Sequence, residues 1–185
     1  EFAKKFMARH NIPTARYGSF GEEEFDDAVA FLDTFNPPYV IKADGLAAGK
    51  GVVITPSKTE AKKTLRSMLS EGAFDGAGKR VVIEEFLDGK EVSMFAVTDG
   101  HSFHLLPSAK DYKRVGDGNS GDNTGGMGAV SPVSFLTEEF QEKTLNQIII
   151  PTIKGLAKES IPYVGFLFFG LIKVGSDPFV IEYNC

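Results

Sequence analysis

Three glycines and two lysines fall within the ten residues Lys42-Ala43-Asp44-Gly45-Leu46-Ala47-Ala48-Gly49-Lys50-Gly51. Glycine lets backbone amides close on an anion and lysine supplies charge, so the segment reads as a phosphate cradle whose candidate contacts are Lys42, Gly45, Gly49, Lys50 and Gly51. A Walker A loop is excluded. That loop sets four residues between its glycines, follows with Lys and then Ser or Thr, and opens a helix. Here three residues separate Gly45 from Gly49, Gly51 stands where the hydroxyl belongs, and a β-type run follows. On this segment alone, a glycine-rich hairpin with surface lysines is the alternative. Alternation puts Lys42 on the same strand face as Val40, with Ile41 and Ala43 opposite. Its ammonium there either snorkels to water or meets a phosphate or carboxylate.

Three further groups carry chemistry. Glu84-Glu85-Phe86-Leu87 leaves a β-type run with Glu91 just beyond, and carboxylates and backbone groups so placed can pair with an adenine edge or ribose hydroxyls; a solvated strand end is the plainer reading. Glu182 and Asn184 are two apart in a strand and so share a face, with oxygens spaced to suit magnesium. The stretch Lys110 to Gly128 is almost free of apolar residues and too long for an idle connection. It holds Lys110-Asp111-Tyr112-Lys113-Arg114 and Asp122-Asn123-Thr124-Gly125-Gly126-Met127-Gly128, residue types that suit a substrate bearing a phosphate and an amine; a solvated loop is the alternative. His10, His101 and His104 show no zinc spacing.

The elements that must hold these groups follow from periodicity. Phe2, Phe6 and Met7 mark a short helix, and Ser19 with Glu22 predicts a capping box before a helix carrying Phe25, Val29 and Leu32. Tyr39 to Ala43 and Val52 to Thr55 read as strands around the glycine loop, and Ser57 with Glu60 predicts a cap for the helix carrying Ala61, Leu65, Met68 and Leu69. Val81 to Phe86, Val92 to Thr98 and His101 to Leu106 read as strands of a meander. Thr137 predicts a cap for a helix that Pro151 kinks or breaks. Val164 to Val174 and Phe179 to Glu182 read as a buried hairpin across Gly175-Ser176-Asp177-Pro178. The class is α+β with largely antiparallel sheets.

Bulk properties narrow the partners. A chain of 185 residues with formal charge -5 has no broad field for phosphate backbones, so nucleic acid is not expected as a partner. The single Cys185 makes no internal disulfide, and no apolar run is long enough for a bilayer. A cytoplasmic protein without membrane contact is expected, truncated at both ends, with the rest of its parent polypeptide as a partner.

Taken in order, Lys42 to Gly51, Val82 to Gly89, Asp111 to Gly128 and Val180 to Cys185 resemble the motifs of the phosphoribosylamine glycine ligase family, an ATP-grasp family; the Asp-Asn-Thr-Gly-Gly-Met-Gly run is the most specific of them. The resemblance covers essentially the whole chain. It implies two β-rich lobes clasping ATP, a smaller one over about 18–86 and a larger one over about 1–17 plus 87–185. Lys42 would hold phosphate oxygens; Glu84, Glu85 and Leu87 would meet adenine, the latter two largely through backbone; Glu91 would take the ribose; Glu182 and Asn184 would hold Mg2+ or Mn2+. It assigns catalytic roles to Lys42, Lys113, Arg114 and Asn123, and substrate contacts to Asp111, Lys113, Arg114 and 122–128. The implied reaction activates glycine as glycyl phosphate, which 5-phosphoribosylamine attacks to give glycinamide ribonucleotide, ADP and phosphate in purine biosynthesis. A different ATP-grasp acceptor, or nucleotide binding without turnover, is the alternative. Many ATP-grasp relatives carry a second metal carboxylate on the penultimate strand, where Phe168-Phe169-Gly170-Leu171 offers none.

Overall fold

The structure, a computed structural model, describes residues 1–45, 51–70, 79–118 and 120–185, and of residues 122 and 123 the backbone alone. The chain divides into two compact units, Glu1–Lys4 with Ala15–Leu87 and Lys5–Thr14 with Asp88–Cys185. Helix α1 (Phe2–Arg9) contributes its first turn to one and its remainder to the other. Residues 1–4, 15–17 and 87, placed with the larger lobe by the sequence reading, thus fall in the first unit.

The first unit is an antiparallel sheet with two helices on one face. Its strands are β1 (Tyr17–Gly21), β2 (Tyr39–Ala43), β3 (Val52–Thr55) and β4 (Arg80–Glu85), ordered β1-β4-β2-β3. Helices α2 (Phe25–Leu32) and α3 (Lys58–Ser70) supply Ala28, Leu32, Ala61, Leu65, Met68 and Leu69 to a core shared with Tyr39, Ile41, Val81 and Ile83. The spacing of Ala61, Leu65, Met68 and Leu69 makes one apolar stripe, and burying a side chain such as Leu65 contributes roughly 1.5–3 kcal/mol.

The helix starts differ from the sequence reading in detail. Ser19 caps nothing. It lies in β1, and its hydroxyl is buried with no hydrogen-bond partner among the described residues. A 3-10 turn (Glu22–Glu24) instead opens at Gly21, whose N–H donates to the Glu24 carboxylate at 2.7 Å. At α3 the predicted Ser57 hydroxyl does accept the Glu60 N–H, at 3.3 Å, but the Glu60 carboxylate accepts from Thr55 at 2.7 Å, and Thr55 accepts the Ser57 N–H at 3.1 Å. The cap is a three-residue relay, because Thr55 ends a strand within reach of both. In α1 the expected apolar stripe is corrected: Phe2 is 63% exposed, whereas Lys4 is buried with Phe6 and Met7.

The second unit is built on a five-stranded antiparallel sheet. Its strands are β5 (Lys90–Thr98), β6 (Phe103–Asp111), β9 (Ala129–Val130), β10 (Gly165–Val174) and β11 (Asp177–Asn184), in the order β11-β10-β5-β6-β9. A separate hairpin, β7 (Arg114–Gly116) and β8 (Ser120–Asn123), interrupts the stretch read as a loop. Arg114, Val115, Ser120 and Gly121 are all exposed, and the hairpin's sequence has no hydrophobic alternation to give a strand signal. The turn between β10 and β11 is only Gly175-Ser176, with Gly175 at φ +60°, a conformation glycine adopts without strain.

Thr137 caps helix α4 (Glu138–Thr144) by accepting the Phe140 N–H, as predicted. Pro151 does not break the helix. A π-helical turn (Leu145–Ile149) precedes α5 (Ile150–Lys158), and the Ile150 N–H bonds back to Leu145. The wider turn makes room for the proline ring that an α-turn would force against a carbonyl. Phe140, Ile148, Ile149, Ile153, Phe169, Leu171 and Val180 are buried in this unit.

Candidate functional site

In the first unit, strand register assembles a charged cluster on the sheet face away from the helical core. Val40 pairs with Glu84 and Lys42 with Val82, so Val40, Lys42, Val82 and Glu84 share that face, while Ile41 and Ile83 join the core on the other. Nζ of Lys42 donates to Oε2 of Glu84 at 3.1 Å. Of the alternatives the sequence left open for Lys42, water, a phosphate or a carboxylate, the carboxylate is the contact seen here. Glu84 itself is buried, an arrangement that is stable only because it is paired.

Glu85 points elsewhere. Its carboxylate accepts from the Arg16 backbone N–H at 2.9 Å and from the Arg16 guanidinium at 2.8 Å. Burial raises its pKa, but these contacts outweigh that and hold it below the usual carboxylate range. Its side chain is therefore committed to Arg16, and its backbone N–H to the Arg16 carbonyl at 3.0 Å. At the glycine loop, the Ala43 N–H reaches the Gly51 carbonyl at 2.8 Å, closing the base between β2 and β3, and Gly45 is exposed. Gly49 and Lys50, predicted phosphate contacts, lie outside the described residues, as do 46–48.

In the second unit, the two ends of the predicted substrate loop fold onto each other. The Tyr112 N–H reaches the Gly128 carbonyl at 2.9 Å, the Met127 N–H the Tyr112 carbonyl at 2.7 Å, and both the N–H and hydroxyl of Thr124 the Lys113 carbonyl, at 2.6 and 2.8 Å. Gly126 and Gly128 sit at φ +137° and +131°, and a Cβ on Gly125, Gly126 or Gly128 would meet nothing within 4 Å among the described residues. At Gly126 and Gly128 the glycine serves backbone conformation rather than tight packing. Arg114 pairs with Asn123 across the hairpin; of the Asp122 and Asn123 side chains nothing is described.

Beside this loop is a recess of about 30 Å³ lined by Glu91, Ser93, Asp111, Lys113, Gly170 and Glu182, among others. Lys113 lies 3.5 Å from Asp111 and 3.9 Å from Glu91, and all three are substantially exposed. Such solvated pairs contribute little to stability and leave their charges available to a ligand.

Tyr183 shows how β11 presents its oxygens. Its hydroxyl lies 3.0 Å from Thr152, its ring packs edge-on to Phe169, and burial raises its pKa to about 12. Glu182 and Asn184, either side of it, are therefore on the opposite face, and both are exposed. Gly170, opposite Glu182, leaves the room: a Cβ there would lie 2.9 Å from Cγ of Glu182. Two exposed neutral or anionic oxygens on one strand face fit a magnesium ion that draws its other ligands from water and phosphate. Among the described residues no group of three or more His, Cys, Asp or Glu forms a ready-made metal cage.

Sequence reasoning missed Lys4. Its Nζ also lies 3.1 Å from Oε2 of Glu84. The signal was present, since Lys4 precedes Met7 by three residues and so shares its helix face. A cavity of about 460 Å³ lies in the second unit at the Thr98 end of β5 and is lined by residues such as His101, Ile153, Tyr163 and Val164. It includes none of the predicted site residues.

A family model described as the phosphoribosylglycinamide synthetase ATP-grasp (A) domain matches residues 1–185. The chain belongs to this family. The ATP-grasp domain is 51% identical over 185 residues to the phosphoribosylamine–glycine ligase of Pseudomonas aeruginosa, covering 100% of the chain and 43% of that protein. It is 52% identical over 187 residues to the corresponding Escherichia coli protein, again 100% of the chain and 43% of the relative. The crystal structure of the Thermotoga maritima phosphoribosylamine–glycine ligase superposes with a TM-score of 0.90 at 42% identity, over 99% of this chain and 46% of that one. D-alanine–D-alanine ligase from Bacillus anthracis, at 22% identity and a TM-score of 0.65 over 98% of this chain and 54% of that one, shares the fold. The antiparallel α+β architecture expected from the sequence is thus the ATP-grasp fold. The chain spans less than half the length of the phosphoribosylamine–glycine ligases it matches, and among the described residues no helix is long and apolar enough to cross a membrane.

Proposed function

We propose that the ATP-grasp domain is the nucleotide-binding part of a cytoplasmic ligase that joins glycine to 5-phosphoribosylamine, converting ATP to ADP and phosphate. The observation that carries this reading is the convergence of Glu91, Asp111, Lys113 and Glu182 on one recess beside the folded 122–128 run. Membership of the family supports it.

In this reading Lys42 neutralises phosphate oxygens, with Gly45, Gly49, Lys50 and Gly51 as further phosphate contacts. Glu84 and the backbones of Glu85 and Leu87 take adenine, and Glu91 takes the ribose. Glu182 and Asn184 hold Mg2+ or Mn2+, which supplies charge neutralisation at the transferring phosphoryl group. The glycine carboxylate attacks the γ-phosphorus, forming glycyl phosphate as the bond to ADP breaks. The amine then attacks the acyl carbon, forming the amide as phosphate leaves. Lys113, Arg114, Asn123 and the rest of 122–128 orient the two substrates, which is work by positioning rather than by a protein nucleophile.

Calorimetric titration with a non-hydrolysable ATP analogue and magnesium tests the nucleotide part: binding is expected, and Lys42→Ala is expected to weaken it by about a hundredfold. Equal affinity in the variant removes Lys42 from the site. For the parent protein, ADP release is expected to require both glycine and 5-phosphoribosylamine. Release indifferent to glycine assigns a different acceptor, and binding without release by the domain alone places turnover in the parent chain.

A further inference from the structure

Two ammonium groups share one carboxylate oxygen in the first unit. Nζ of Lys4 and Nζ of Lys42 each lie 3.1 Å from Oε2 of Glu84. The side chains of Lys4 and Glu84 are each 6% exposed, and that of Lys42 is 20% exposed. The inner pair is sealed, and the outer lysine keeps access to solvent. Lys4 is held on other sides as well: it donates to the Ala15 carbonyl at 3.3 Å and lies 5.5 Å from the centre of the Tyr17 ring.

We propose that Lys4 is a positioning residue, a fixed inner counter-ion of Glu84 that keeps the cluster at a net positive charge and so leaves the Lys42 ammonium available to an anionic ligand. The inference rests on the nucleotide reading given above.

The reason is charge balance. Lys42 and Glu84 alone would form a neutral pair, with the lysine's attraction satisfied by its neighbour. Over these three groups, adding Lys4 raises the sum to one positive charge, and the more exposed lysine is the one placed to offer it to a ligand. Burial lowers the Lys4 pKa, while the Glu84 charge and hydrogen bond act to keep it protonated. A charge on Lys4 no more than about 6 Å from the Lys42 ammonium, at an effective dielectric of about 20 and with partial screening, changes the affinity for an anion held there on the order of ten- to a hundredfold. The effect grows with the charge of the ligand, which separates it from a loss of packing.

The test uses the whole chain and three variants: Lys4→Met, Lys4→Arg, and Lys4→Met combined with Glu84→Gln. Each is titrated calorimetrically with AMP, ADP and a non-hydrolysable ATP analogue. The readout is the ratio of the AMP to the ATP-analogue dissociation constant, in which adenine contacts cancel. Lys4→Met is expected to lower that ratio by about tenfold. Lys4→Arg is expected to keep it, and the double variant, with its net positive charge restored, to recover it.

A wild-type ratio in Lys4→Met overturns the inference, as does a double variant whose ratio stays low, since that marks lost packing rather than lost charge. If Lys4→Met does not fold, the charge-balanced double variant decides in the same way: a wild-type ratio supports the inference and a reduced one overturns it. A wild-type chain that binds none of the three nucleotides instead removes the nucleotide reading.

Discussion

Glu84→Ala is the perturbation that most directly exposes the electrostatics of the first unit. The Glu84 side chain is 6% exposed and is the shared acceptor of two lysines, each at 3.1 Å. Removing it leaves two ammonium groups no more than about 6 Å apart, and at an effective dielectric of about 20 their repulsion is about 3 kcal/mol. Losing one partner of a buried ion pair typically costs about 3–5 kcal/mol. Lys42 is partly exposed and can swing toward water, so the lower figure applies, a deficit of about 3 kcal/mol at pH 7.

The deficit has a pH signature. Burial already holds the Lys4 pKa below its unfolded value of 10.5, and the variant loses the Glu84 contributions that raise it. Between the depressed folded pKa and the unfolded one, the unfolded chain binds more protons. Stability therefore rises with pH through that window, as Lys4 sheds its proton, and it does so over a wider range in the variant than in the wild type. Urea unfolding followed by circular dichroism, on both proteins at pH 7 and pH 9.5, measures this. A deficit under about 1 kcal/mol at pH 7, or one that does not shrink at the higher pH, refutes the account of Glu84 as the shared counter-ion of Lys4 and Lys42.

Two further outcomes follow from single contacts. In Gly170→Ala the new methyl would lie 2.9 Å from Cγ of Glu182 and 3.2 Å from Phe168, turning the carboxylate off the face it shares with Asn184. Mn2+ affinity measured by paramagnetic resonance is expected to fall about tenfold, and an unchanged affinity removes Glu182 from the metal site. Thr137→Ala removes the hydroxyl that accepts the Phe140 N–H at 3.2 Å and is expected to lower stability in urea by about 1 kcal/mol; no loss shows that the cap is dispensable.

Local signals carried the regular elements well. Tyr39 to Ala43 and Val52 to Thr55 match β2 and β3 residue for residue, because β-type runs bounded by turn residues state both their conformation and their limits. Thr137 and Ser57 mark helix starts for the same reason, since a cap is made within four residues. Ser19 fails as a cap because the capping pattern competes there with strand pairing: residues 17–21 are recruited by β4, which is far away in sequence. The β7–β8 hairpin was illegible because it is a polar ribbon with no hydrophobic alternation, held by turns and by its own ladder.

The sequence by itself determined which chemistry was on offer: a lysine beside a glycine loop, strand-end carboxylates, two oxygens on one face of a final strand, and a glycine-rich polar run. Those are facts of residue type and spacing, and periodicity turns them into faces. Only the tertiary structure decided who meets whom. That Glu84 answers Lys42, that Lys4 answers Glu84 as well, that Arg16 occupies Glu85, and that Thr124 and Met127 close on Lys113 and Tyr112 are consequences of register and packing across long stretches of chain. The physical reason is that a charge shows in the sequence, while the burial that gives it a required partner is set by every element packed around it.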